Sequence, residues 1–265
     1  MTRQWKAAVV CVALLLGAVT TLAIFQRPTD HANRPQDRVV IFGDSLTYQA
    51  EPYFNLLMKA SGNIAVSDYA FGGTAVCDWL PKMRSVAHSE RPDVAVLEFA
   101  GNTFTSCMDG CIEGSQAAVS RYCSNLSVAI QTFVDVGTHV FLEGTPIDYQ
   151  EWIGHDTHWN DLDDAIAALA DKYPGQVTYV DAGRSVEGPD QSFVWTLPCL
   201  YFEPCTGPVI AGIRNNVVRS PDGTHFCVGQ SGNAVGQVDG CRTYSSGAFR
   251  FATAMAGPVI AWLHH

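Results

Sequence analysis

Apolar and polar positions alternate along the chain in blocks that switch between two periods. Arg38–Phe42 is a short apolar run closed by Gly43, the pattern of a strand buried on both faces. Tyr48–Lys59 repeats its apolar positions at helical spacing, and Ile64–Tyr69 alternates as a second strand ahead of Gly72-Gly73. Asp78–His88 reads as a helix. Asp93–Phe99 reads as a third strand ahead of Gly101-Asn102, and Ser115–Val136 as a long helix. His139–Leu142 is a fourth strand, ending at Gly144-Thr145-Pro146. Leu162–Lys172 is helical, with Asp161, Asp163 and Asp164 near its N-terminus, where the helix dipole favours acids. Val177–Val180 is a fifth strand, and the last helix falls around Ser246–Leu263, interrupted by Pro258. Alternating strands and helices predict βαβ units and a mainly parallel sheet. Gly183–Tyr244 shows neither period and reads as a long irregular stretch.

The first 26 residues differ in kind. Arg3 and Lys6 precede Ala7–Phe25, an apolar run of 19 residues without charge, and a polar tract follows over Gln26–Asp37. Residues 1–26 are expected to be a signal peptide or signal anchor, 27–37 a linker and 38–265 the folded body. Uncleaved, the segment would sit in the membrane; either way the body is expected to be exported. The whole chain carries a net charge of -10, and beyond residue 26 there are 14 basic and 26 acidic residues, a net -12. A body this acidic excludes nucleic acid as a partner, because phosphates need a basic footprint. Nine cysteines are present, eight of them in the body. An even number in an exported domain predicts disulfides, and no Cys-x-x-Cys spacing suggests zinc or redox chemistry. Short local loops suggest Cys199–Cys205 and Cys227–Cys241; for the other four the guess is Cys77–Cys107, joining the segments after the second and third strand ends, and Cys111–Cys123.

In doubly wound sheets, ligands bind beyond the carboxyl ends of the strands. The segments there are Gly43-Asp44-Ser45-Leu46, Phe71-Gly72-Gly73-Thr74 and Gly101-Asn102. Late in the chain comes Pro221-Asp222-Gly223-Thr224-His225-Phe226. Acyl transfer needs a hydroxyl nucleophile, a base to take its proton, a third group to orient the base, and donors for the oxyanion. Ser45 offers the hydroxyl on a tight turn. Asp222 and His225, three residues apart, allow a carboxylate on Nδ1 with Nε2 left for Ser45. The N–H groups of Ser45 and Gly73 and the Asn102 amide can donate to an oxyanion. Taken singly, Ser45 would be a helix-capping serine and Asn102 a turn residue.

With GDSL at 43–46, glycines at 72–73, GN at 101–102 and DGTH at 222–225 in that order, the chain resembles the SGNH (GDSL) hydrolases from Val39 to about Phe226. The resemblance implies a three-layer α/β/α, flavodoxin-like fold with a five-stranded parallel sheet. It implies Ser45 as nucleophile, His225 as base, Asp222 as its orienter, and Ser45, Gly73 and Asn102 as the oxyanion hole. It implies no metal or organic cofactor. The third block departs from the family's Gly-x-Asn-Asp pattern, since Thr103 follows Asn102. The Gly-x-Ser-x-Gly elbow of α/β-hydrolases is absent.

The expected function is an exported serine esterase that hydrolyses a short O-acyl ester, on a small ester or an O-acylated glycan. The alternatives are acyl transfer to a glycan by the same triad, or a non-catalytic glycan-binding module. His155 and His158, with Asp156, lack a third zinc ligand and read as loop histidines. Trp152, Trp159 and Trp195 read first as loop braces and second as sugar-stacking rings. Glu143 is either a pocket residue or a strand-end acid.

Overall fold

The computed structural model describes residues 36–112, 114–154, 158–227, 241 and 243–265. The signal and linker segments therefore lie outside the described residues, as do His155 and Asp156; of His158 and Trp159 only the backbone is described.

Five strands form one sheet: β1 (Asp37–Gly43), β2 (Ile64–Ala70), β3 (Val94–Glu98), β4 (His139–Glu143) and β5 (Val177–Val180). Their order is β2-β1-β3-β4-β5 and every pairing is parallel. The order reverses beside β1, so the carboxyl end of β1 is the switch point of the sheet. The helices are α1 (Ser45–Ser61), α2 (Val76–Glu90), α3 (Gln116–Val134), α4 (Tyr149–Gly154), α5 (His158–Ala170) and α6 (Ser246–Leu263). Alternate strand positions feed two cores. Val40, Phe42, Leu97 and Leu142 face α2, α3 and α5. Val39, Ile41, Val96 and Phe141 face α1 and α6. Because both faces are covered, β1, β3 and β4 are mainly apolar runs, whereas the edge strand β2 carries Ser67 and Asp68 and alternates. α6 continues through Pro258, which sits inside it.

The stretch after β5 is not irregular throughout. β6 (Thr196–Pro198), β7 (Val209–Ile210) and β8 (Ile213–Val217) form a small antiparallel sheet in the order β6-β8-β7. β6 and β7 are too short for alternation to register in the sequence, and β8 exposes Ile213 and buries Asn215 and Asn216, so it shows no apolar alternation.

Three disulfides form as expected: Cys77–Cys107, Cys199–Cys205 and Cys227–Cys241. Cys111–Cys123 does not; both are free and half-buried. The loop does reach α3, where the Arg121 side chain donates to the Cys107 carbonyl at 3.2 Å, but the sulfurs of Cys111 and Cys123 are not bonded. Burial also pushes the Cys123 thiol up, against the thiolate that exchange requires. Alkylation of unreduced, denatured protein should therefore label the Cys111 and Cys123 peptides. It should leave the other six body cysteines unlabelled, as read by mass spectrometry.

Candidate active site

β1 delivers the first block. Gly43 ends the strand where a Cβ would meet the Thr47 side chain at 2.1 Å and the Glu98 carbonyl at 2.9 Å, so only glycine fits between the helix start and β3. Asp44 then caps α1, accepting from the Leu46 N–H at 3.0 Å. The helix therefore starts at Ser45, three residues ahead of the apolar pattern.

Ser45 Oγ lies 2.9 Å from His225 Nε2, across 180 residues of sequence. His225 Nδ1 lies 2.9 Å from Asp222 Oδ2. The other carboxylate oxygen, Oδ1, accepts from the N–H groups of Thr224 and His225 at 3.0 Å each and from Ser220 Oγ at 2.5 Å. Burial pushes the Asp222 carboxyl up, but the hydrogen bonds from His225 and Ser220 outweigh it and hold the carboxyl well below its ordinary range. Asp222 is thus an anion at neutral pH, placed to fix the Nδ1–H tautomer and leave Nε2 facing the hydroxyl.

Asn102 and Gly73 reach the same turn. The Asn102 amide donates to Asp44 Oδ2 at 2.8 Å and to the Thr74 carbonyl at 3.2 Å. Ala100 N–H also donates to Asp44 Oδ2, at 2.7 Å. Asp44, fully buried, thus ties the first block to the third, and Thr74 ties in the second. Burial pushes the Asp44 carboxyl up, and these N–H donors partly offset it. Gly73 holds φ at +76°, in the left-handed region that favours glycine. The Ser45 and Gly73 N–H groups have no protein acceptor among the described residues. They are available to a ligand, whereas the Asn102 amide must surrender one contact, the longer one to Thr74 being the weaker.

Several residues that hold this arrangement were not singled out in the sequence. Gln49, one turn beyond Ser45, accepts from the N–H groups of Phe226 at 2.7 Å and Cys227 at 3.2 Å. It fastens the loop of His225 to the helix that begins at Ser45. A buried glutamine on the apolar side of α1 was its only signal. Tyr122 holds the Asn102 carbonyl from α3 at 2.9 Å. Arg219, also buried, donates to the Ile147 carbonyl at 3.3 Å and lies between the rings of Phe193 and Phe226. The Tyr149 N–H reaches the Gly223 carbonyl at 3.2 Å. Trp195 and Trp152 are 40% and 43% exposed, so neither is a simple core filler. Trp195 packs on Tyr149 and Phe193, with ring centroids 5.2 and 4.8 Å apart.

Glu143 proves to be buried, at 1% exposure. It pairs in register with Glu98 on β3, and Glu98 accepts from Thr47 N–H and Oγ1 at 3.0 and 2.6 Å. Burial pushes both carboxyls well up. The neighbouring Asp44 adds to the effect on Glu98, and Glu98 adds to that on Glu143. In the fold both are neutral well above the ordinary glutamate value of about 4.3. The native state then binds more protons than the unfolded chain. This stabilising contribution is complete below the ordinary glutamate range and is lost as pH rises toward the folded value. Urea unfolding should show lower stability at pH 8 than at pH 5. Glu143→Gln should lessen that decline, and an undiminished decline would place the cause elsewhere.

No family model matches the sequence, and no curated protein matches it. Solved structures do. A lipase/acylhydrolase from Enterococcus faecalis superposes with a TM-score of 0.55 at 15% identity, covering 86% of this chain and 97% of its own. A putative acylhydrolase from Bacteroides fragilis gives 0.56 at 16% identity, covering 88% and 93%. A GDSL-like lipase from Bacteroides thetaiotaomicron gives 0.53 at 12% identity, covering 96% and 97%. Together with the strand order 2-1-3-4-5 and helices on both faces of the sheet, these likenesses establish the fold. The chain has the three-layer α/β/α fold of the SGNH hydrolases.

Proposed function

We propose that this protein is an exported serine ester hydrolase acting on a short O-acyl ester, through an acyl-enzyme on Ser45. The observation that carries the reading is the linear relay from Ser45 Oγ to His225 Nε2 and from Nδ1 to Asp222, with 2.9 Å at each link. His225 takes the Ser45 proton as Oγ attacks the ester carbonyl. The negative charge moves to the carbonyl oxygen, where Ser45 N–H, Gly73 N–H and the Asn102 amide receive it. As the C–O bond breaks, His225 returns the proton to the departing alcohol. Water then attacks the acyl-enzyme, giving its proton to His225. The tetrahedral adduct collapses, the acid leaves, and the proton returns to Ser45.

Two features support the finer reading. The three disulfides favour an oxidising compartment, and with it export of the body by the N-terminal segment, either cleaved or kept as an anchor. The half-exposed Trp195, braced by Tyr149 beside the catalytic loop, offers a flat ring on which the sugar of an O-acylated carbohydrate could lie. The test is labelling with a fluorophosphonate, followed by a screen of acetylated mono- and oligosaccharides, aryl esters and triglycerides. Modification at Ser45 with release of acetate from sugars supports the reading. An unlabelled, folded protein, inert on every ester, would overturn it.

A further inference from the structure

The small sheet β6-β8-β7 ends in an apolar tip. β6 runs antiparallel to β8, and the Cys199 N–H donates to the Arg214 carbonyl at 3.0 Å, so the loop after β6 starts beside the beginning of β8. The β7–β8 hairpin turns through Ala211-Gly212, with Ile210 opposite Ile213. Loop and hairpin therefore share one end of the sheet. Tyr201 is fully exposed there, Phe202 and Val209 are 67% and 63% exposed, and Leu200, Ile210 and Ile213 are exposed as well.

This exposure is built into the loop. Cys199–Cys205 closes it. Its one acid, Glu203, turns inward at 7% exposure and pairs with Arg250, while Tyr244 and Ser246 donate to Glu203 Oε2 at 2.9 and 2.7 Å. The Leu200 N–H is fixed to Glu203 Oε1 at 2.7 Å. The polar residue is thus inside and the aromatic ones outside, the reverse of an ordinary surface loop. Among residues 199–214 the only other charge is Arg214, which is exposed. A chain of net charge -10 therefore presents, at this tip, apolar side chains with a single cation and no exposed acid.

We propose that the tip formed by Leu200–Phe202 and Val209–Arg214 is a membrane-docking element that enters the headgroup region of a phospholipid bilayer. Tyrosine, phenylalanine and aliphatic side chains with a flanking arginine suit that boundary, where rings and methyl groups leave water and the guanidinium stays with the phosphates. The absence of exposed acid removes the local repulsion that the rest of this body would meet at an anionic surface. From β8 the chain passes directly into Arg219–His225, so docking would fix the candidate catalytic loop relative to the bilayer.

The test uses the full chain on vesicles of phosphatidylcholine and phosphatidylglycerol containing a phospholipid with a photoreactive diazirine in its acyl chain. After irradiation, lipid adducts are mapped by mass spectrometry. Adducts are expected on the peptides holding Tyr201-Phe202 and Val209–Ile213. They should fall about tenfold or more in the triple variant Tyr201→Ser, Phe202→Ser, Ile210→Ser, with its melting temperature retained. Arg214→Glu, a single surface change, decides the matter if the triple variant does not fold: it should lower the adducts on these anionic vesicles. Adducts confined to the N-terminal run, or adducts undiminished in both variants, would each overturn the proposal.

Discussion

Ser45→Ala is expected to lower kcat for an activated ester on the order of 10⁶-fold while the protein keeps its fold. His225→Ala should cost about as much, and the double variant no more than either alone. The reason lies in the relay. Without Oγ there is no atom to carry the acyl group, and without Nε2 at 2.9 Å the hydroxyl keeps its proton. Members of such a unit act together, so removing a second part costs little once the first is gone. Neither side chain is needed for packing: Asp44 caps α1, and Gln49 independently holds the loop of His225. Kinetics with an aryl acetate, alongside thermal melting, would check this. Near wild-type turnover in folded Ser45→Ala would remove the serine mechanism.

Asn102→Ala is expected to lower kcat by about 10²–10³-fold, or roughly 3–4 kcal/mol of transition-state stabilisation. KM should change much less, since an oxyanion donor acts mainly after the ground state. The same change should also reduce stability. Asp44 Oδ2 loses its 2.8 Å donor and keeps only Ala100 N–H, inside a fully buried environment. A weakened buried acceptor costs about 1–3 kcal/mol. Asn102→Asp should be worse, because it sets a second carboxyl against Asp44 in that buried turn. If the residue only held the turn, melting would fall while kcat per folded molecule stayed intact. Measuring kcat, KM and melting temperature on the same preparation separates the two roles.

The parts of this molecule that were legible in sequence are those whose physics is local. A strand covered on both faces must be apolar throughout, so β1, β3 and β4 announce themselves as runs such as Val39–Phe42. The four blocks were readable because each sits at a forced turn or spacing: glycine at 43 where nothing larger fits, aspartate three residues ahead of histidine at 222 and 225. What escaped was decided at a distance. α4 buries no residue, so it leaves no periodic trace. β7 has two residues, both exposed. Gln49 looks like any polar residue on a helix until Phe226 arrives from 177 positions away. Cys111–Cys123 was a guess for the pair left over, with no local signal behind it, and the two thiols stay free.

On the proposed mechanism, the separation of 180 positions between Ser45 and His225 also sets when the site is complete. Ser45 opens α1, the first described helix, whereas His225 lies on a loop ahead of α6. α1 and α6 pack against one another over one face of the sheet, and Ser245, at the cap of α6, donates through Oγ to the Phe226 carbonyl at 2.7 Å. The loop of His225 is therefore seated by an element that is synthesised after it. A partial chain emerging from the ribosome, or one threaded unfolded across a membrane, holds a serine with nothing to deprotonate it. On the proposed mechanism, hydrolytic competence therefore waits on α6, whose cap seats the loop of His225.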